Sequence, residues 1–156
     1  MEACRPATAD DIPQVVELAR AMRAELSPMR GGALWLDRDA WPEPLEHAYG
    51  ALLGEDDALL LVGTIDDVVV GFGAAVVEVL RSGTRLGVVT DLFVEPEARE
   101  VGVGEVLADA LVDRCRAAGC AGVDATALPG HRAAKNFFEA HGFTARALTM
   151  HHRLAP

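Results

Sequence analysis

Basic side chains are scarce in this chain: Lys and Arg number 14 against 24 Asp and Glu, a formal net charge of -10. Non-specific nucleic-acid binding needs clustered cations on phosphates, so that class is set aside, and an anionic ligand has to be held locally against the overall field. Conversely, an acidic surface attracts cations such as protonated amines. Cysteine is also scarce. Cys4, Cys115 and Cys120 are odd in number and lack the close pairing of a zinc ribbon or a redox Cys-x-x-Cys, which fits a reducing cytoplasm; Cys115 falls on an apolar helical stripe and reads as core. No stretch approaches the roughly 20 apolar residues that span a bilayer. Residues 1–5 show no charged region leading into an apolar one, so the reading is a soluble, unsecreted, cytoplasmic protein.

Two phosphate-binding signatures are missing as well. A Walker loop needs Gly-Lys-Ser/Thr, a triplet that does not occur. A dinucleotide fingerprint through Gly102 and Gly104 needs glycine at 107, where the chain has Leu107, although Asp124 stands at a suitable distance for a ribose contact. His151 and His152 do not suggest a metal, because neighbours on a strand face opposite ways and no carboxylate or cysteine accompanies them.

What is present reads as a single domain over 1–156, large enough to bury roughly 70% of its unfolded surface. Thr8 to Asp11 precedes Ile12, Val15, Val16, Ala19 and Met22 at helical spacing. Residues 27–44 are irregular, and a short helix follows around Leu45, Tyr49, Leu52 and Leu53. Ala58 to Ile65 and Val68 to Leu80 form a hairpin across Asp66-Asp67, with Gly71 and Gly73 marking a bulge or a close backbone approach. Arg85 to Val94 is a third strand. A long helix carries Val103, Val106, Leu107, Ala110, Leu111, Cys115 and Ala118, capped by Gly119. Ala121 to Ala127 returns to strand, His131 to Ala140 is helical, and Phe143 to Ala145 and Thr149 to Leu154 read as weaker closing strands. The fold class is α/β (α+β) with a mixed sheet.

The segment before the long helix carries the chemistry. A helix's first turn leaves N–H groups without partners and bears about half a positive charge, so it suits a pyrophosphate when nothing blocks the approach. Gly102 and Gly104 remove the obstruction and can aim several N–H groups inward, and Arg99 adds a charge beside them.

Asp91-Leu92-Phe93-Val94-Glu95-Pro96 followed by Arg99-x-x-Gly102-x-Gly104 resembles the acetyl-CoA segment of the GNAT family of N-acetyltransferases. His131-x-x-Ala134-x-x-Phe137-Phe138-Glu139-x-x-Gly142-Phe143 is similar to that family's second signature. The resemblance covers nearly the whole chain. It implies a mostly antiparallel sheet with a splayed parallel pair, helices on both faces, and acetyl-CoA as co-substrate. The strand ending at Val94 is expected to part from the next and admit the pantetheine arm, with backbone groups of Leu92 and Val94 pairing like an added strand and the amides of Arg99, Glu100, Val101, Gly102, Val103 and Gly104 taking the pyrophosphate. An N–H near Leu92 or Phe93 would donate to the thioester carbonyl oxygen. His131, Arg132 and Lys135 either add charge near phosphates or form a solvated helix start.

Asp91, with Phe93 opposite Leu92 and Val94, is the first candidate to serve as base or to grip an ammonium acceptor; Glu78 is the second. Phe138 stands where relatives often carry a tyrosine acid, and His131 replaces a usual asparagine. The expected reaction is direct acetyl transfer to a primary amine, without metal or acetyl-enzyme, the acceptor lying over residues 27–44, where Trp35 and Trp41 line a pocket or cap the core. The rivals are a catalytically weak coenzyme-binding module of the same fold and a nucleotide-binding domain. The same resemblance suggests a homodimer through the last strands.

Overall fold

The computed structural model describes residues 1–154. Its first strand, β1 (Glu2–Pro6), has no apolar alternation and left no sequence signal; it is an edge strand antiparallel to β2 (Ala58–Ile65), with Glu2 opposite Ile65 and Pro6 opposite Leu61. The chain then turns into α1 (Ile12–Leu26). That entry is fixed by Asp11, whose carboxylate accepts bonds from the Arg5 guanidinium (2.7 and 3.0 Å) and the Thr8 amide (2.8 Å). A single turn, α2 (Gly32–Leu34), and a wide turn over Trp35–Asp39 break up the stretch expected to be irregular, and α3 (Leu45–Leu52) follows.

β2 returns as β3 (Val68–Val79) through Asp66 and Asp67, both at positive φ (48° and 68°). Two such residues make the tight turn whose twist matches a hairpin. β4 (Arg85–Val94) pairs antiparallel with β3, and β5 (Cys120–Ala125), reached through α4 (Val103–Ala117), pairs parallel with β4. The order is β1-β2-β3-β4-β5, followed by α5 (Arg132–Ala140). The expected closing strands are absent: 143–154 forms none, and Leu148, Met150 and Leu154 are 83%, 86% and 88% exposed. Short segments such as these cannot hold a strand where no partner ladder receives them.

One apolar cluster joins α1 and α3 to one sheet face through Val15, Tyr49, Val62, Phe72 and Phe93. The other joins α4 through Leu61, Val94, Val103, Leu107 and Leu111. α4 sits against strands stripped of side chains. A Cβ at Gly63 would lie 2.6 Å from Val103 Cγ1, one at Gly73 3.0 Å from Leu111 Cδ1, and one at Gly87 2.6 Å from Cys115 Sγ. Gly71 and Gly73, expected to mark a bulge or a close approach, do both. The ladder shifts beside Gly71, and a Cβ there would be 2.8 Å from the Phe93 carbonyl.

Gly63→Val forces the helix off this floor and is expected to cost about 1–3 kcal/mol by overpacking, read as a lower midpoint in urea; an unchanged midpoint would show the seating to be loose. The Arg5 guanidinium, above all, lowers the Asp11 carboxyl to about 2. The unfolded state, with pKa about 3.9, then binds more protons between these values. This pair's stabilisation is complete above pH 4 and lost as pH falls towards 2, so Asp11→Asn should flatten that limb of the acid-denaturation curve.

Candidate acetyl-CoA and acceptor site

β4 carries the site because its two neighbours treat it differently. Toward β3 it is paired along its length, with one irregularity: Ala74 is opposite Asp91 and Ala75 opposite Val89, so Thr90 is an extra, bulged residue. Toward β5 the pairing runs from Arg85 with Cys120 only to Val89 with Ala125. Beyond the bulge the strands part. The Glu95 amide donates to Val70 of β3 (2.9 Å), so alternation aims the backbone groups of Leu92 and Val94 into the gap. The expected splay is there, and it begins at the bulge.

Past the end of β4, a short turn (Pro96–Ala98) leads to Glu100 and Gly102, both left-handed (φ 68° and 98°), and Gly102 caps α4. Left-handed residues set before helical ones turn successive amides towards one point. The N–H groups of residues 100–105 have no acceptor among the described residues, the first intrahelical donor here being Val106 to the Gly102 carbonyl (3.1 Å). Arg99 departs from its expected place. Its Nε donates to the Val94 carbonyl (2.8 Å), its terminal nitrogens pair with Glu25 (2.9 and 3.0 Å), and it lies over the Phe93 ring. It braces the end of β4 instead of facing the cradle, whose positive potential comes from amides alone.

Asp91 lies on the α1/α3 face with Phe93, as alternation requires, but it is shut in: 4% exposed and accepting from Tyr49 Oη (2.6 Å), Thr90 Oγ1 (2.7 Å) and Trp41 Nε1 (2.9 Å). Arg23 completes the group by donating to the Trp41 carbonyl; its Nε is buried without a partner. Burial raises the Asp91 carboxyl above the usual range, opposed by these three donors and by the Arg23 charge. Tyr49 Oη is driven far up by burial and by Asp91. Glu78 is exposed and pairs in register with Leu86, four residues along β3 from the partner of Asp91, roughly 13 Å away. The two candidate carboxylates are thus not brought together. Tyr49, Thr90 and Arg23 were missed by sequence reasoning, although polar Thr90 beside Asp91 breaks the strand's alternation and signals a bulge.

The acetyltransferase (GNAT) family model matches residues 19–143. This chain belongs to that family. No curated protein matches significantly in sequence. Among solved structures, a mutant of the BH1408 protein from Bacillus halodurans aligns with a TM-score of 0.80 at 18% identity, covering 97% of this chain and 99% of that one. The glucosamine-6-phosphate N-acetyltransferase of Arabidopsis thaliana aligns at 0.71 and 19%, covering 99% of each. An aminoglycoside acetyltransferase from an uncultured soil metagenomic sample, in complex with sisomicin, aligns at 0.73 and 18%, covering 99% and 96%. Identity this low speaks to the fold alone.

In this GNAT chain α5 closes the cradle's flank: Phe137 Cε1 lies 3.5 Å from where a Cβ on Gly104 would be. Phe138 packs edge-on against Phe137 and Phe143 (centroids 5.6 and 5.2 Å) and brings no hydroxyl. Lys135 is paired with Glu139 (2.9 Å) on the exposed side. His131 lines a hollow of about 390 Å³ with Met29, Arg30, Pro129 and Gly130; Arg30 had no sequence signal. Among the described residues no cluster of three or more His, Cys, Asp or Glu could hold a metal, and no helix is long and apolar enough to cross a membrane.

Asp91→Asn leaves one of three buried donors facing an amide N–H₂, at about 1–3 kcal/mol. The expected result is a melting temperature lower by about 3–10 °C and a red-shifted Trp41 emission; an unchanged spectrum would show that Trp41 is not held by this carboxylate.

Proposed function

We propose that this protein is an acetyl-CoA-dependent N-acetyltransferase that acts on a primary amine by direct transfer. The observation that carries the reading is the row of unpartnered amides at 100–105, set at the N-terminus of α4 beside the open edge of β4. An anion satisfies the first group and an extended amide chain the second, and pantetheine pyrophosphate is both in one molecule. Family membership supports the same co-substrate.

Acetyl-CoA supplies an activated thioester carbonyl when bound. The amides of Glu100, Val101, Gly102, Val103, Gly104 and Glu105 hold the diphosphate, with Gly102 and Gly104 admitting it. The backbone of Leu92 and Val94 aligns the arm, and the Leu92 N–H donates to the carbonyl oxygen as negative charge develops there. Phe138 packs against the α5 aromatic cluster and excludes water. Asp91 acts as a positioning residue: it fixes Trp41 and Thr90 at the mouth of the gap. As the amine nitrogen bonds the carbonyl carbon the C–S bond would break, the coenzyme leaving as a thiolate that takes its proton from solvent, to which the acceptor's proton is also lost. A covalent acetyl-cysteine is disfavoured, since Cys115 is buried at the far end of α4, its thiol pushed up to about 11 by burial and by Cys120. The exposed Leu148, Met150 and Leu154 support a homodimer that covers them.

A second reading, a coenzyme-binding module with little activity, is favoured by Phe138, which has no proton to donate. Titration with CoA and a free-thiol assay with acetyl-CoA and a panel of amines separate the two: binding with thiol release supports the transferase, binding without release against any amine the module. Gly102→Val is expected to weaken CoA binding at least tenfold, because a branched side chain at φ 98° strains the turn that aims the amides and crowds the Glu2 and Glu105 side chains beside it. Unchanged calorimetric affinity in a variant that still melts cooperatively would remove the cradle from the account.

A further inference from the structure

A cavity of about 420 Å³ lies on the same sheet face as Asp91, between α3, the turn at 41–44 and the paired ends of β2 and β3. Trp41, Leu52, Ala58 and Val76 are among its walls, and its lining contains no Ser, Thr, Asn, Gln or Tyr. Its acids are Glu43, Glu55 and Asp57. Arg20 takes Glu43 (2.8 Å) and Arg85 takes Asp57 (2.8 Å), whereas Glu55 has no ion-pair partner among the described residues.

Trp41 belongs to two places at once. It walls the cavity, and its Nε1 is bonded to Asp91 (2.9 Å) and Thr90 (3.2 Å) at the bulge where β4 leaves β5. Val76 stands two residues along β3 from Ala74, the register partner of Asp91, about 7 Å away. A nitrogen at the mouth of the gap and an apolar group in the cavity are therefore a few carbon atoms apart.

We propose that this cavity is the acceptor pocket and that the acceptor is a primary amine with an apolar body, a short alkyl chain or a single ring. The inference rests on the acetyltransferase reading. Charge complementarity favours it: the cation is drawn to a chain of net charge -10 with an unpaired carboxylate at the rim, and the indole face accepts a cation or a ring. A polyhydroxylated amine fits poorly, because apart from the three carboxylates and the His47 imidazole the walls offer its hydroxyl groups few side-chain partners.

The test is a series from ethylamine to hexylamine, followed by thiol release with acetyl-CoA and, separately, by calorimetry without it. kcat/KM is expected to rise about two- to fourfold per methylene, so that hexylamine exceeds ethylamine at least tenfold, and Ala51→Phe should bring that ratio close to one. Acetylation with no dependence on chain length in the unaltered protein overturns the pocket and leaves the transferase standing. Chain-length-dependent binding without acetylation upholds the pocket and overturns the transferase.

Discussion

Everything at the site depends on how closely α4 lies on the sheet. Gly63, Gly73 and Gly87 clear room for Val103, Leu111 and Cys115, and this fixes both the height of the helix and the place where its first turn arrives. Because that turn comes directly from the end of β4, its unpartnered amides stand beside the strand edge that β5 has left free. On the proposed reading, apolar burial thus positions an anion site in a protein whose overall charge is hostile to anions. Glu100 and Glu105 flank the turn and oppose the ligand, but both are exposed and therefore screened, while the amides act at contact distance.

The second constraint is the bulge at Thr90. One extra residue turns Thr90 and Asp91 to the same face, where three donors meet one carboxylate. Removing a charge from water is costly, and the Arg23 guanidinium with three hydrogen bonds offsets that cost here. The result ties α3, through Tyr49, and the 41–44 turn, through Trp41, to the point at which the strands part. Brace and strand gap are therefore one unit: whatever moves Trp41 moves the mouth of the gap.

Much of this was legible from residue patterns. The α4 stripe, the Asp66-Asp67 hairpin and the glycine-bearing turn follow local rules of period and φ, and each appeared within a residue or two of its expected bounds. Partners across the sheet were not legible. β1 was invisible because Glu2 to Pro6 owes its strand state to pairing with β2. Arg99 was assigned to the phosphates because sequence cannot show Glu25, 74 residues away, waiting for it. Asp91 read as reactive for a similar reason, since two of its three donors, Tyr49 of α3 and Trp41 of the 41–44 turn, lie more than 40 residues away in sequence. Conversely, Thr149 to Leu154 has strand composition but no ladder to join.

The central claim is that the amides of residues 100–105 grasp a diphosphate. Amide ¹H–¹⁵N spectra of the protein titrated with CoA, and with CoA lacking its adenosine diphosphate portion, test it most directly. The account predicts large shifts at Glu100 to Glu105 and at Leu92 and Val94 with CoA, the first group falling silent with the truncated arm. Saturable binding that leaves Glu100 to Glu105 unmoved would contradict it.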